Sequence, residues 1–212
     1  MTAALAHQVA ARFEGRSTRG FVAGKLRGDP VVPALLALPL LGGVLDLGCG
    51  RGQLALALLL AGRAGRVTGF DLDAGKIDRA QAAAQGLPAR FAVADLAAAE
   101  IPPCDTVLLI DVLLQMPHDA QRALLGRIAA AGPARIVIRT FDPDCGWRSA
   151  FGFAMEHLRR MLGGDLGRRG AFAPLPPRDL AQPLEAAGYR VTTAPCWAGT
   201  PLPNVLMLAQ RS

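Results

Sequence analysis

The sequence of 212 residues has few aromatic side chains and no long apolar run. Aromatic residues make up 5% of the chain, which leaves little for stacking on nucleic-acid bases. The longest apolar run, residues 54–61, is far shorter than the ~18 residues that a membrane span needs, and no N-terminal stretch has the apolar core of a signal peptide. We therefore expect a cytoplasmic protein without a membrane span.

Cysteine is scarce and scattered along the chain. The four cysteines are Cys49, Cys104, Cys145 and Cys196, and no two of them form a C-x-x-C pair. Spacing of this kind lacks the pattern of zinc-binding and redox-active motifs. We expect four reduced thiols and no metal site.

Basic residues outnumber acidic ones, which raises the question of nucleic acid as a partner. The net charge is +6 and the isoelectric point is near 9.9. However, the basic residues are nearly all arginine and are spread singly, with small clusters only at residues 159–160 and 168–169. Arg-rich composition can also reflect a bias of the source genome, so we expect no nucleic-acid partner.

The most informative stretch is residues 44–52, where an apolar strand runs into Gly48, Gly50 and Gly52 and then into a helical run at residues 53–61. Glycines at alternate positions can take positive φ and let a ligand lie against bare backbone at a helix N-terminus. The spacing excludes a dinucleotide fingerprint, because Gln53 stands where a third glycine is required, and no Gly-Lys-Ser/Thr follows as in a phosphate loop. The alternative is a glycine turn that only joins a strand to a helix.

Two acidic residues at predicted strand ends strengthen the ligand interpretation. Asp71 closes a strand at residues 66–71, near the ~20-residue offset at which a doubly wound fold places the acid that binds ribose hydroxyls. Asp95 closes a strand at residues 90–95 and is followed by Leu96, a pair that suits an adenine ring and its exocyclic amine. Each aspartate taken singly can instead cap the helix that follows its strand.

The rest of the chain continues the alternation of strands and helices. Strands are predicted at residues 104–111, 135–139, 189–196 and 204–211, and helices at 119–131, capped by Asp119, at 147–162, ended by Gly163-Gly164, and at 179–187. We predict one α/β domain over residues 1–212, a doubly wound, mostly parallel, seven-stranded sheet. Residues 1–40 would form a helical cap, and residues 141–178 a substrate lid inserted after the fifth strand.

With these motifs in order, the chain resembles class I S-adenosylmethionine-dependent methyltransferases, a Rossmann-like family. The blocks LIDVLLQMP (109–117), RTFDPDCGWR (139–148) and GTPLPNVL (199–206) further resemble a bacterial subfamily. Its members lie in biosynthetic clusters for aryl polyene and related polyketide or lipid products. The resemblance implies an enzyme that methylates a small-molecule or carrier-bound acceptor, most readily at oxygen, and it is compatible with a homodimer.

The resemblance also implies a set of residues that bind S-adenosylmethionine. Asp71 would bind the ribose, Asp95 and Leu96 the adenine, and the glycine loop would lie beside the methionine portion. Asp46 and Asp111 would lie near the methionine ammonium group, although Asp111 can equally cap the next helix. The cofactor-binding residues expected on this basis are Asp46, Gly48, Cys49, Gly50, Gly52, Asp71, Leu72, Asp95, Leu96 and Asp111.

The catalytic group is less clearly marked. Similar proteins often carry His then Tyr after the position of Asp111, where this chain has Leu114 and Gln115, so a general base is absent there. The candidate proton acceptors are His118 and His157, both of which can equally be solvated surface residues. Tyr189 is expected to pack in the core. A direct displacement at a sulfonium needs positioning more than a base when the acceptor is acidic.

The predicted lid supplies the candidate acceptor contacts. Trp147 would form an aromatic wall and Arg148 an anion contact, with plain packing of Trp147 over the sheet edge as the alternative. Phe151, Phe153, Met155 and Phe172 would add apolar surface, or would only cover the sheet. Two other functions stay open: an enzyme that uses the same cofactor for another reaction, such as cyclisation, and a non-catalytic cofactor-binding subunit.

Overall fold

The structure is a computed structural model that describes residues 3–161 and 172–211. The chain divides into two compact units, Met1–Leu108 and Leu109–Ser212. The predicted helix end at Gly163-Gly164 and the centre of the predicted lid lie outside the described residues. No helix in the described part of the chain is long and apolar enough to cross a membrane.

The first unit begins with three helices, as the predicted cap requires, and continues with alternating strands and helices. Its elements are α1 (Ala3–Ala11), α2 (Arg16–Gly28), α3 (Val31–Ala37), β1 (Gly42–Leu47), α4 (Gln53–Leu60), β2 (Ala64–Asp71), α5 (Ala74–Ala83) and β3 (Ala89–Val93). Strand β2 pairs in parallel with both β1 and β3. The carboxyl ends of these three strands therefore meet at one edge, where ligands bind in open α/β sheets.

The core of the first unit explains why β1 reads as a continuous apolar run. Five of its six residues are buried, and Leu45 and Leu47 are fully so. Helix α4 adds Leu56 and Leu58, which are also fully buried, while α1 packs against α2 and α4. A strand covered on both faces is expected to be apolar at nearly every position, and the buried Asp46 is the exception in β1.

The second unit contains the end of one strand and all of the last three. Its elements are β4 (Thr106–Ile110, which crosses the unit boundary), a 3₁₀ turn (Leu113–Gln115), α6 (His118–Ala131), β5 (Arg135–Phe141), α7 (Trp147–Met161), α8 (Pro177–Ala186), β6 (Tyr189–Pro195) and β7 (Asn204–Arg211). Strand β7 pairs antiparallel with both β5 and β6. The seven strands form one sheet in the order β3-β2-β1-β4-β5-β7-β6, which confirms the predicted fold class.

Two local predictions were wrong. Helix α6 begins at His118 after Pro117, so Asp119 lies in its first turn and does not cap it. Strand β3 ends at Val93, two residues before Asp95, because Asp95 begins a turn in which its side chain accepts from the Ala97 N–H. The prediction for Tyr189 is confirmed, since its ring is buried and its hydroxyl donates to the carbonyl of Pro133 over 2.8 Å.

Candidate functional site

The glycine loop has the backbone conformation that the sequence predicts. Gly48, Gly50 and Gly52 have φ of 77°, 58° and 73°. A Cβ at Gly52 would lie 2.7 Å from the Phe91 ring, whereas a Cβ at Gly50 would meet no atom within 4 Å. Packing beneath the loop therefore requires glycine at position 52, and Gly50 leaves a surface of bare backbone beside the start of the helix.

Asp71 fastens this loop to the end of β2. Its Oδ2 accepts from the Gly50 N–H over 2.8 Å, and its Oδ1 accepts from the Asp73 N–H over 3.0 Å. The Phe70 carbonyl accepts from the amides of Gly48 and Cys49 over 2.7 and 2.9 Å. Because a carboxylate has about four acceptor sites, Asp71 can still accept from the two hydroxyls of a ribose.

Asp46 and Cys49 lie buried beneath the loop. Burial, with the nearby Asp71 charge, raises the pKa of Asp46 from 3.8 to about 7. Burial also raises the pKa of the Cys49 thiol, and the Asp46 and Asp71 charges add to this effect. All four cysteines are free, as predicted, and Cys49 is a protonated packing residue.

The residues expected to contact the adenine and ribose lie at or just after the carboxyl ends of β2 and β3, and one of them exposes an apolar side chain. Leu72, directly after β2, is 71% exposed, and Asp95 is also exposed. Leu96 is half-buried. An open loop, a carboxylate with spare acceptor sites and the exposed Leu72 beside it together fit an adenosine-containing cofactor.

Arg51 in the glycine loop is a functional candidate that the sequence analysis missed. Its guanidinium lies 5.0 Å from the centre of the Phe21 ring of α2, a cation–π distance. Its Nε is buried without a hydrogen-bond partner among the described residues. A cation between two glycines of a ligand-binding turn is a signal that the sequence did carry.

The second unit contains a cavity of about 660 Å³. Its described lining is mainly apolar and comes from the turn after β4, the end of β5, helix α7, the segment before α8, and the turn before β7 with the first residue of that strand. The lining residues are Asp111, Leu114, Phe141, Phe151, Gly152, Met155, Glu156, Leu158, Phe172, Thr200, Pro201, Leu202 and Asn204. A mainly apolar cavity of this volume with a few polar groups is typical of a small-molecule site.

Asp111 is the residue of this lining with the most unusual backbone. Its φ is 60°, and among the described residues it is the one residue other than glycine that has a positive φ. Its carboxylate is paired with the buried Arg139 guanidinium, whose Nε donates to Oδ1 over 2.9 Å and whose terminal nitrogen contacts Oδ2. The predicted helix cap is wrong, because the carboxylate is held by Arg139 and the following 3₁₀ turn starts after Val112. Strain of this kind clusters at ligand sites.

The lid residues that were predicted to contact an acceptor divide into two groups. Phe151, Met155 and Phe172 line the cavity. Phe141, Phe153 and Phe172 pack edge to face, with centroids 5.1 to 5.7 Å apart, so the aromatic residues cover β5 as well. The aromatic residues therefore do cover the sheet, and their contact with an acceptor stays a prediction.

The other candidate residues lie outside the lining of this cavity. His118 and His157 are exposed, on the first turn of α6 and on α7. Trp147 is 66% exposed, and the Arg148 guanidinium lies between the rings of Trp147 and Trp197. Their roles as proton acceptors and direct substrate contacts stay predictions.

Comparison with known families matches residues 44–131 to the methyltransferase domain family. The matched range begins in β1 and ends with α6, so it includes the glycine loop, Asp71, Asp95 and Asp111. The match covers less than half of the chain, and it supports a methyltransferase that uses S-adenosylmethionine, the molecule bound in a solved structure of the same fold. No curated protein gives a significant sequence match.

Solved structures of methyltransferases share the fold. Magnesium protoporphyrin IX methyltransferase from Synechocystis PCC 6803, with bound SAH, is 22% identical with a TM-score of 0.64, over 94% of this chain and 89% of that one. An O-methyltransferase family protein from Burkholderia thailandensis is 20% identical, with a TM-score of 0.68 over 98% and 64%. Mitomycin 7-O-methyltransferase is 22% identical, with a TM-score of 0.66 over 92% and 57%.

Proposed function

We propose that this protein transfers a methyl group from S-adenosylmethionine to a hydroxyl of a small apolar acceptor, an aryl, polyketide or lipid-like biosynthetic intermediate. The observation that carries the proposal is the cavity of about 660 Å³, whose mainly apolar lining contains the paired carboxylate of Asp111. The motifs that resemble the aryl polyene subfamily support an acceptor of this kind, free or bound to a carrier.

The cofactor would be held by residues of the first unit. Asp71 would accept from the ribose hydroxyls, Asp95 and Leu96 would contact the adenine, and Asp46 would face the methionine ammonium group. When bound, S-adenosylmethionine supplies a methyl group on a positively charged sulfur that is open to in-line displacement. The loop at Gly50 would approach the cofactor through backbone alone.

The acceptor would be positioned by the polar groups of the cavity. Asp111 can accept a hydrogen bond from an acceptor hydroxyl, because its contacts with Arg139 fix the carboxylate in orientation. Methylation of a hydroxyl releases its proton, and the Asp111 carboxylate is a lining group that can take it. Orientation of the two reactants in a largely apolar cavity then contributes more to the rate than a strong base does. Under this proposal the whole chain is one domain, with residues 1–40 as its cap and 141–178 as its acceptor lid.

Product analysis tests the proposal. The protein is incubated with methyl-labelled S-adenosylmethionine and a panel of phenols, free hydroxy-polyketides and carrier-bound acyl groups, and the products are analysed by mass spectrometry. We expect S-adenosylhomocysteine together with an acceptor that carries one labelled methyl ether. Methylthioadenosine would instead indicate cyclisation, and cofactor binding without either product would contradict the transfer reaction.

A further inference from the structure

We propose that Arg148 is a positioning residue that sets the width of the acceptor cavity. This inference rests on the proposed function, because it assigns a role at the same cavity. Arg148 is the second residue of α7, and its guanidinium lies 4.9 Å from the ring centres of both Trp147 and Trp197. One of its terminal nitrogens also donates to the Thr200 carbonyl over 2.8 Å.

These contacts join two walls of the cavity. Helix α7 supplies one wall through Phe151, Gly152 and Met155, while Thr200 and Leu202 belong to the turn at residues 197–203 that supplies another. Arg148 contacts this turn at its beginning, through Trp197, and in its middle, through Thr200. The spacing between helix and turn therefore depends on Arg148.

Several other bonds of the turn among the described residues do not involve α7. The Thr200 N–H and hydroxyl both donate to the Trp197 carbonyl. These bonds lie within the turn and do not connect it to α7. At its end, the Pro203 carbonyl accepts from the Asp142 N–H over 2.9 Å. Pro203 also lies near α7 at Gly152, where an added Cβ would be 3.5 Å from the Pro203 ring. Arg148 thus holds the part of the turn that lies farthest from these anchors.

A planar guanidinium suits this role better than an ammonium group. Arginine can stack on two aromatic faces and donate in its own plane at the same time, which lysine cannot do. Each exposed cation–π contact and the hydrogen bond are modest singly, but together they restrain one short turn. Loss of the side chain should widen the cavity and weaken its selection of acceptors by length.

The chain carries its own reporter for this test. It has two tryptophans, Trp147 and Trp197, and both contact Arg148. Their emission should therefore change when the stack is broken and when a ligand enters the cavity. Tryptophan emission is titrated with 4-alkylphenols from ethyl to octyl, in the wild-type protein and in Arg148→Ala, Arg148→Lys and Arg178→Ala variants. Arg178 is the matched control, since it is 77% exposed and pairs with Asp144 and Asp179 instead.

We expect Arg148→Ala to bind the preferred phenol roughly tenfold more weakly and to lose most of its discrimination by chain length. Arg148→Lys should show a smaller loss, and Arg178→Ala should bind the phenols like the wild type. Every variant should bind S-adenosylhomocysteine with the affinity of the wild type. Unchanged discrimination in a folded Arg148→Ala variant, equal losses in Arg178→Ala, or no binding of any phenol to the wild type would overturn the inference. If phenols bind as expected but no acceptor is methylated, the proposed function fails while the positioning role stands.

Discussion

The glycine loop and the apolar cavity are built by different means. The loop is shaped by backbone: three positive φ angles, and a carboxylate that accepts from amide groups of its neighbours. The cavity is shaped by side chains from five segments between residues 111 and 204. A site made of backbone depends on a few glycines, whereas a site made of side chains can change its shape through many substitutions.

This difference matches the two tasks of a methyltransferase. Its cofactor is the same in every reaction, so a loop fixed by backbone conformation is sufficient. Its acceptor differs from enzyme to enzyme, and under the proposed function the cavity would supply the variable part. Variants of the loop should therefore affect cofactor binding and stability, and variants of the cavity should affect the acceptor alone.

The largest expected effect concerns the buried carboxylate beneath the loop. The pKa of Asp46 is about 7 in the folded protein against 3.8 ordinarily, a difference that corresponds to about 4 kcal/mol. The folded protein therefore holds this proton more tightly. The free energy of unfolding without cofactor should be highest below about pH 4 and should fall as the pH rises to about 7. Asp46→Asn should lack this fall when both proteins are unfolded with urea across the pH range; parallel profiles would show that Asp46 ionises normally.

Gly52→Ala should give the next largest effect, on stability. The residue has φ of 73°, and a Cβ would meet the Phe91 ring at 2.7 Å, so a conformational cost adds to a steric one. We expect a loss of about 3 kcal/mol. Gly62→Ala is the control, because its φ is 66° and the space around it is open, and it should lose only about 1 kcal/mol. Equal losses in denaturant unfolding would mean that Phe91 moves away at no cost.

Asp71→Ala should weaken the binding of S-adenosylmethionine by about 1.5–3 kcal/mol, because ribose hydroxyls would lose a charged acceptor. Isothermal titration calorimetry measures the loss. Asp73→Ala is the comparison: Asp73 caps α5 by accepting from the Lys76 N–H, so its loss should lower stability and spare the affinity. Unchanged affinity in Asp71→Ala would remove this residue from the ribose site.

Met155→Trp tests the cavity and should have the smallest effect. The larger side chain would fill part of a space lined by Met155 on α7, so the KM for the acceptor should rise roughly tenfold, about 1.4 kcal/mol. Met161→Trp is the control, since Met161 lies on the same helix, is 72% exposed and is not in the cavity lining. A similar change in cofactor affinity for Met155→Trp would break the division between the two regions.

The same contrast explains what could be predicted from the sequence. The conformations of Gly50 and Gly52 and the position of Asp71 follow from short-range spacing, which a sequence displays directly. The pairing of Asp111 with Arg139 joins residues 28 positions apart, and the φ of Asp111 has no local signature. The sequence therefore left Asp111 between a helix cap and a cofactor contact. The structure pairs its carboxylate with Arg139 in place of the cap, and the cofactor contact stays a prediction.

The cavity itself had no sequence signal. Leu114, Phe141 and Phe172 lie far apart along the chain and come together only through the packing of α7 and the strands. Any apolar residue in a lid segment can cover a sheet or line a cavity, and periodicity alone does not distinguish these outcomes. Arg148 was predicted as an anion contact, and its approach to two indole rings, at 4.9 Å from each ring centre, had no sequence signal.

The most direct test of the account is the affinity of Gly50→Ala for S-adenosylhomocysteine. A Cβ at Gly50 meets nothing in the protein, so the variant should lose no more stability than Gly62→Ala, about 1 kcal/mol. If the cofactor lies against this backbone, calorimetry should show Gly50→Ala binding at least about 30-fold more weakly and Gly62→Ala binding like the wild type. Wild-type affinity in a folded Gly50→Ala variant would contradict the assignment of the glycine loop as the cofactor site.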